Sequence, residues 1–297
     1  MKAILHQTIK GHSGAIYALA TDEPKQLIYT GGADKVVACW DAATGHQVPP
    51  TIRTERSIYS LALLNNTMVV GTSTGSMHVI DLEHRAELKH FTFHTGGVFN
   101  LLPNGDKSLL LASAADGKIT LWNTNTWELV AVMDPAGGKV RRTLFNDGDH
   151  TILAGCADGS VAVYDAESFA TKFRFKAHAD AVTALALTPD GMLLTGSKDA
   201  HLKLWELKPN ASGLMSVPAH NFAIYDIAII DNDHFATASR DKTIKIWSRD
   251  DMKVIQRIDR LSGGHIHSVN RLMWCPQWAK LVSASDDRSA KTWDVMR

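Results

Sequence analysis

Charge of one sign, paired cysteine and long apolar runs are all scarce in this chain of 297 residues, and each scarcity excludes something. Lys+Arg and Asp+Glu both number 31, so the formal net charge is zero. A broad basic face for nucleic acid is therefore not expected, although a local patch is compatible with that balance. The three cysteines, Cys39, Cys156 and Cys275, are odd in number and far apart, which offers neither a disulfide framework nor a set of zinc ligands. No apolar run approaches the roughly 18 residues of a membrane span. The stretch Met1-Lys2-Ala3-Ile4-Leu5-His6 lacks the apolar core of a secretory signal, so no leader is expected here. Also missing are a glycine-rich phosphate loop followed by Lys-Ser/Thr, a His-Glu-x-x-His pair and a Cys-x-x-Cys pair. What is present is 45% hydrophobic and 21% charged, enough for a substantial core. The expectation is a soluble protein of a reducing compartment, placed in the cytoplasm with a nuclear address left open.

A repeat dominates the rest of the sequence. A small residue and His, an alternating apolar stretch, a small-residue run ending in Asp, and a strand ending in Trp recur in that order. The strongest copies are Gly11-His12 … Asp34 … Trp40, Ala177-His178 … Asp199 … Trp205, Ala219-His220 … Asp241 … Trp247 and Gly264-His265 … Asp287 … Trp293. A weaker copy runs His94 … Asp116 … Trp122, and two more place Ile80 and Tyr164 at the Trp position. The series Trp40, Ile80, Trp122, Tyr164, Trp205, Trp247, Trp293 is spaced by 40, 42, 42, 41, 42 and 46 residues. Within each copy, stretches such as Thr243-Ile244-Lys245-Ile246-Trp247 alternate as half-buried strands do, and clusters such as Pro189-Asp190-Gly191 mark turns. No segment shows a helical apolar stripe. The chain reads as all-β with seven copies of one unit.

A period in the low forties with a Gly-His start and a Trp-Asp end resembles the WD-repeat β-propeller family, over essentially the whole chain. The resemblance implies a seven-bladed β-propeller of four-stranded blades, with residues 1–297 as one domain. It also implies that Ile4-Leu5-His6-Gln7-Thr8-Ile9 supplies the fourth strand of the last blade and closes the ring.

The residue types of nucleophilic catalysis recur in four copies: His12, Thr30, Asp34; His178, Thr195, Asp199; His220, Thr237, Asp241; and His265, Ser283, Asp287. Each Asp is followed six residues on by a Trp (Trp40, Trp205, Trp247 or Trp293). By the resemblance these are structural hydrogen-bonded chains that tie strands together, and no catalytic residue is assigned. The departures predict a softer arc. The second copy has Thr74 for Asp and no His, the third has Ala112 at the hydroxyl position, and the fourth has Ala154 and Tyr164. These three blades are expected to rely on apolar packing. The pair His265 and His267 is read as no metal site, and no cofactor is expected. Trp274 is read as core and Trp278 as exposed.

Within the family, residues flanking the apolar residue four past the His, and the residue before the turn Asp, face partners. Carried over here, these positions nominate Tyr17, Tyr59, Phe99, Arg141, Tyr225 and Asn270, then Lys139, and then Lys198, Arg240 and Asp286. Aromatics and arginine are the usual anchors of interfaces. The resemblance thus implies a non-catalytic scaffold, a monomeric ring within a larger complex. It would dock a protein or peptide with an apolar or aromatic anchor and acidic or phosphorylated groups. Two rivals are a propeller enzyme with a channel-mouth site and a single-stranded RNA platform using the same aromatics. Zero net charge weighs against the second, and only Asp286 offers a carboxylate to the first.

Overall fold

The computed structural model describes residues 1–209 and 211–296. It consists of seven four-stranded antiparallel sheets, and each of the first six is a meander of four consecutive strands. The innermost strands are Ile16–Asp22, Ile58–Leu64, Val98–Pro103, Val140–Asn146, Val182–Leu187, Ile224–Ile229 and Val269–Cys275. The strand that follows each of them is the most deeply buried of its blade, because both of its faces pack on neighbouring blades. The cores lie between blades: for example, Ala62 and Val79 share one cluster with Leu101 and Trp122.

The seventh sheet closes the ring. Strand Lys2–Lys10 pairs antiparallel with Ser289–Met296, from Lys2 opposite Met296 to Lys10 opposite Ser289. The only helices among the described residues are two single 3₁₀ turns, Arg260–Ser262 and Pro276–Trp278, and no helix is long and apolar enough to cross a membrane.

Every innermost strand carries a β-bulge at one place. The register slips between Ile16 and Ala18, Ile58 and Ser60, Val98 and Asn100, Val140 and Arg142, Val182 and Ala184, Ile224 and Asp226, and Val269 and Arg271. A bulge adds one unpaired residue and re-aims the side chains beside it. The seven extra residues are Tyr17, Tyr59, Phe99, Arg141, Thr183, Tyr225 and Asn270; the resemblance nominates all of them but Thr183.

Five blades hold a complete hydrogen-bonded chain. In the first, Trp40 Nε1 donates to Thr30 Oγ1 at 2.7 Å, which contacts His12 Nε2 at 2.7 Å, and His12 Nδ1 meets Asp34 Oδ2 at 2.8 Å. The same chain links Trp205, Thr195, His178 and Asp199, then Trp247, Thr237, His220 and Asp241, and then Trp293, Ser283, His265 and Asp287. Burial holds the imidazoles of His178, His220 and His265 below their ordinary value of 6.5, against the pull of their aspartates. They are thus neutral at pH 7. A neutral ring accepts at Nε2 and donates at Nδ1, so each link in the chain is satisfied.

Of the three blades expected to rely on apolar packing, two hold polar networks of their own. In the third blade Ala112 does lack a hydroxyl, but its cross-strand partner Thr120 supplies one. Thr120 Oγ1 accepts from Trp122 Nε1 at 2.8 Å and lies 3.0 Å from His94 Nε2, while His94 Nδ1 reaches Asp116 at 3.0 Å. The hydroxyl has changed strands without leaving the chain, because Thr30 and Ala38 in the first blade occupy the same opposed pair. In the fourth blade Arg174 Nη2 pairs with Asp158 and its Nε donates to Ser160 Oγ at 2.8 Å, an ionic substitute for His. Only the second blade lacks such a network among the described residues; its Thr72 and Thr74 hydroxyls sit 3.4 Å apart.

This relocation has a measurable consequence. Thr120 is fully buried, so Thr120→Val strands His94 and Trp122 and is expected to cost about 1–3 kcal/mol in urea denaturation. Adding Ala112→Thr returns the hydroxyl to the position used elsewhere and should recover part of the loss. Equal midpoints for wild type and Thr120→Val would contradict the assignment.

Candidate functional site at the channel mouth

The bulges bring seven side chains, one from each blade, to one end of the axis. Tyr17, Tyr59, Phe99, Arg141, Thr183, Tyr225 and Asn270 line a single cavity of about 310 Å³, with Arg271 and Asp286. The aromatics form a continuous arc. Tyr17 meets Tyr59 edge to face at 5.5 Å, Tyr59 stacks on Phe99 at 5.8 Å, and the Arg141 guanidinium lies 4.6 Å above the Phe99 ring. A side chain at Gly97 would come within 2.7 Å of the Tyr59 ring, so glycine there is what lets that ring lie flat. On the other side Asn270 Nδ2 donates to Asp286 Oδ1 and to the Ile16 carbonyl, both at 2.8 Å. Burial, then the Asp286 carboxylate, pushes the Tyr17 hydroxyl above its ordinary value of 10, so it remains a donor.

The residue after each bulged position points deeper. In chain order these are Ala18, Ser60, Asn100, Arg142, Ala184, Asp226 and Arg271, so four of the seven carry a strongly polar head. Arg142 pairs with Asp226 and donates Nη1–H to Asn100 Oδ1 at 3.0 Å. Asp226 Oδ2 also accepts the Leu272 amide at 3.0 Å. Arg271, from the seventh blade, donates Nε–H to the Tyr17 carbonyl at 3.0 Å and Nη2–H to the Phe99 carbonyl at 2.7 Å. It therefore reaches across the axis to blades one and three and floors the mouth. Burial lowers the Arg271 guanidinium to about 9, with Arg142 adding to that and Asp226 opposing it. The position itself is visible in the repeat, but without the register a polar residue in an inner strand has no assigned direction.

The remaining nominated residues are not brought together. Lys139 is exposed and does not line the cavity, nor do Lys198 and Arg240. Lys198 pairs with Asp180 at 3.3 Å on the surface, and Arg240 lies 5.8 Å above the exposed Phe222 ring. Of the four cations nominated from the repeat positions, only Arg141 lines the mouth, with Arg271 below it. Trp278, expected to be exposed, is half-buried; its Nε1–H donates to the Glu23 carbonyl at 3.1 Å and it packs on the core beneath the first blade. Trp274 is half-buried against the core as expected.

The four catalytic-looking sets are sealed. Thr30, Thr195, Thr237 and Ser283 have no exposed surface, and each oxygen already takes an indole N–H. The thiols of Cys39, Cys156 and Cys275 are buried and free, and burial pushes them up to about 11, 11 and 12. None of these groups can present a nucleophile to a substrate.

Comparison with known proteins agrees with this geometry. The repeat described as "WD domain, G-beta repeat" matches residues 4–41, 85–123, 169–206 and 212–248, half of the chain. The chain belongs to the WD-repeat family. This WD-repeat propeller is similar to WD repeat-containing protein 55 of Rattus norvegicus, 22% identical over 89% of this chain and 71% of the relative. It is also similar to the kinesin-like protein KIF21A of Homo sapiens, 24% identical over 96% of this chain but only 16% of the relative. Protein tipD of Dictyostelium discoideum is 25% identical over 96% of this chain and 48% of its own length. WD-repeat relatives support a generic interaction scaffold. The unmatched stretches 42–84 and 124–168 hold the copies in which Ile80 and Tyr164 replace Trp.

Proposed function

We propose that this WD-repeat propeller is a non-catalytic docking platform whose mouth cavity takes an aromatic or apolar side chain flanked by an acidic or phosphorylated group of a protein partner. The observation that carries this is the arc Tyr17–Tyr59–Phe99 ending in Arg141 and floored by Arg271. Rings held edge-on and stacked keep little conformational freedom to lose on binding, which favours them as anchors. The guanidiniums of Arg141 and Arg271 provide the charge that an acidic neighbour of the anchor would meet. In the kinesin-like relative the matched segment is a small part of a larger protein, as a docking module would be. The domain spanning residues 1–297, the monomeric ring and the cytoplasmic address remain part of this proposal.

The test is affinity capture from cells of the source organism, comparing wild type with a folded Tyr59→Ala/Phe99→Ala variant. A direct partner should lose about 2 kcal/mol or more of binding in the variant, roughly 30-fold in Kd. An unchanged partner set would reject the mouth as the docking site. A salt-dependent shift with single-stranded RNA that the same variant abolishes would favour the RNA reading instead.

A further inference from the structure

The second blade is the one without Trp, tetrad His or turn Asp, and its irregularity leaves an open groove of about 1050 Å³ against the outer strand Gln47–Arg53 of the first blade. In the third and fifth blades the Trp ring fills the corresponding space: Trp122 packs 4.5 Å from Phe91, and Trp205 packs 5.0 Å from Phe175, each on the outer strand of the preceding blade. The second blade puts the smaller Ile80 there, facing Val48 and Ile52. Into the vacated space project His78, Glu87 and His90.

Their arrangement follows from the strand register. His78 lies opposite Val70, at the place of Ala38 in the first blade and Thr120 in the third. Across the outer strand Ala86–Phe91, His90 pairs with His78 and Glu87 pairs with Ile80. Residues three apart on a regular strand point to opposite faces. The bulge between Val79 and Ile80 removes that alternation and puts Glu87 on the face of His90. The imidazoles of His78 and His90 stack at 4.5 Å, His78 Nδ1 meets Glu87 Oε1 at 2.7 Å, and all three ligand atoms lie within 4.8 Å of one another.

We propose that His78, Glu87 and His90 form a binding site for a divalent metal ion of the zinc class. Two imidazole nitrogens and one carboxylate oxygen are the donor set of open zinc sites, and the borderline character of nitrogen with oxygen disfavours calcium and magnesium. The ion would take the place of the His78 Nδ1–Glu87 hydrogen bond, with the His78 ring proton carried on Nε2. The three donors come from one side and the groove lies on the other. A remaining coordination position is thus open to water, or to a His or carboxylate of a segment lying in the groove. This site lies on the outer flank of the ring and is independent of the channel mouth.

Calorimetric titration of the untagged full chain with Zn²⁺ tests it. The expected result is one equivalent bound and a higher melting temperature with zinc. His90→Ala and Glu87→Gln should each weaken binding by at least the roughly 10–100-fold that outer-shell changes produce. Both side chains are on the exposed outer strand, so the melting temperatures without metal should match wild type. His234→Ala, which alters a separate Asp231–Asp233–His234 group, should leave the affinity unchanged. Absence of saturable binding at micromolar zinc, or binding that His90→Ala and Glu87→Gln leave intact, would overturn the proposal.

Discussion

Asp226→Ala lowers the stability of the propeller by about 3–5 kcal/mol, the cost of stranding a buried charge. The Asp226 side chain is 5% exposed and that of its partner Arg142 is 15% exposed, so solvent screens the pair weakly. Asp226 is also the counter-charge for Arg271, whose guanidinium is already depressed by burial and by Arg142. Its removal leaves two guanidiniums in one throat, and it frees the amides of Ile227 and Leu272. Chemical denaturation of Asp226→Ala, followed by Asp226→Ala/Arg142→Leu, checks the cause. If unpaired charge dominates, the double variant is more stable than the single one, because an apolar pair often replaces a buried ion pair at little cost. A loss below about 1 kcal/mol for the single variant would mean that water enters the throat and screens it.

Deleting residues 1–10 abolishes cooperative folding. Eight cross-strand pairs join that strand to Ser289–Met296, and Ala3 and Ile9 are buried in the two flanking cores. Gln256 of the sixth blade clamps it further, accepting from the Ala3 amide at 2.7 Å and donating to the Ala3 carbonyl at 2.9 Å. Ladder hydrogen bonds contribute about 1 kcal/mol each and burying Ile9 about 1.5–3 kcal/mol. Their sum approaches the roughly 5–15 kcal/mol by which a domain is stable. The loss also uncovers the edge of strand Ser289–Met296, a template for aggregation. The expected readout is insoluble or non-cooperatively melting protein, rescued in part by a peptide of residues 1–10. A truncated protein melting like wild type would refute ring closure by this strand.

Much of this was legible because a propeller is a one-dimensional repeat. The spacing of Trp40 through Trp293 gave seven copies, and one position in each repeat gave six of the seven bulge residues that the fold gathers in a single cavity. Legibility failed where the decisive relation runs between strands. Ala112 reads as a lost hydroxyl until Thr120 is seen opposite it, and the fourth copy reads as having no polar network until Arg174 is seen to reach Asp158 from the outer strand. Trp278 looked free because nothing local indicates that Glu23, far away in sequence, lies beneath it.

The amino-acid sequence alone determined the all-β class and the seven copies of one unit, because strand period, turn chemistry and the repeat spacing are written locally. The sealing strand and the tetrads of the four strong copies followed from the resemblance to the WD-repeat family that this spacing carries, and their partners lie far apart in the chain. Only the closed ring decided that Tyr17, Tyr59 and Phe99 stack into an arc, that Arg271 spans the axis to two other blades, and that His78, Glu87 and His90 meet beside Ile80. Those contacts depend on seven bulges in register and on the distance between neighbouring blades, quantities set by closure of the whole sheet array rather than by any one repeat.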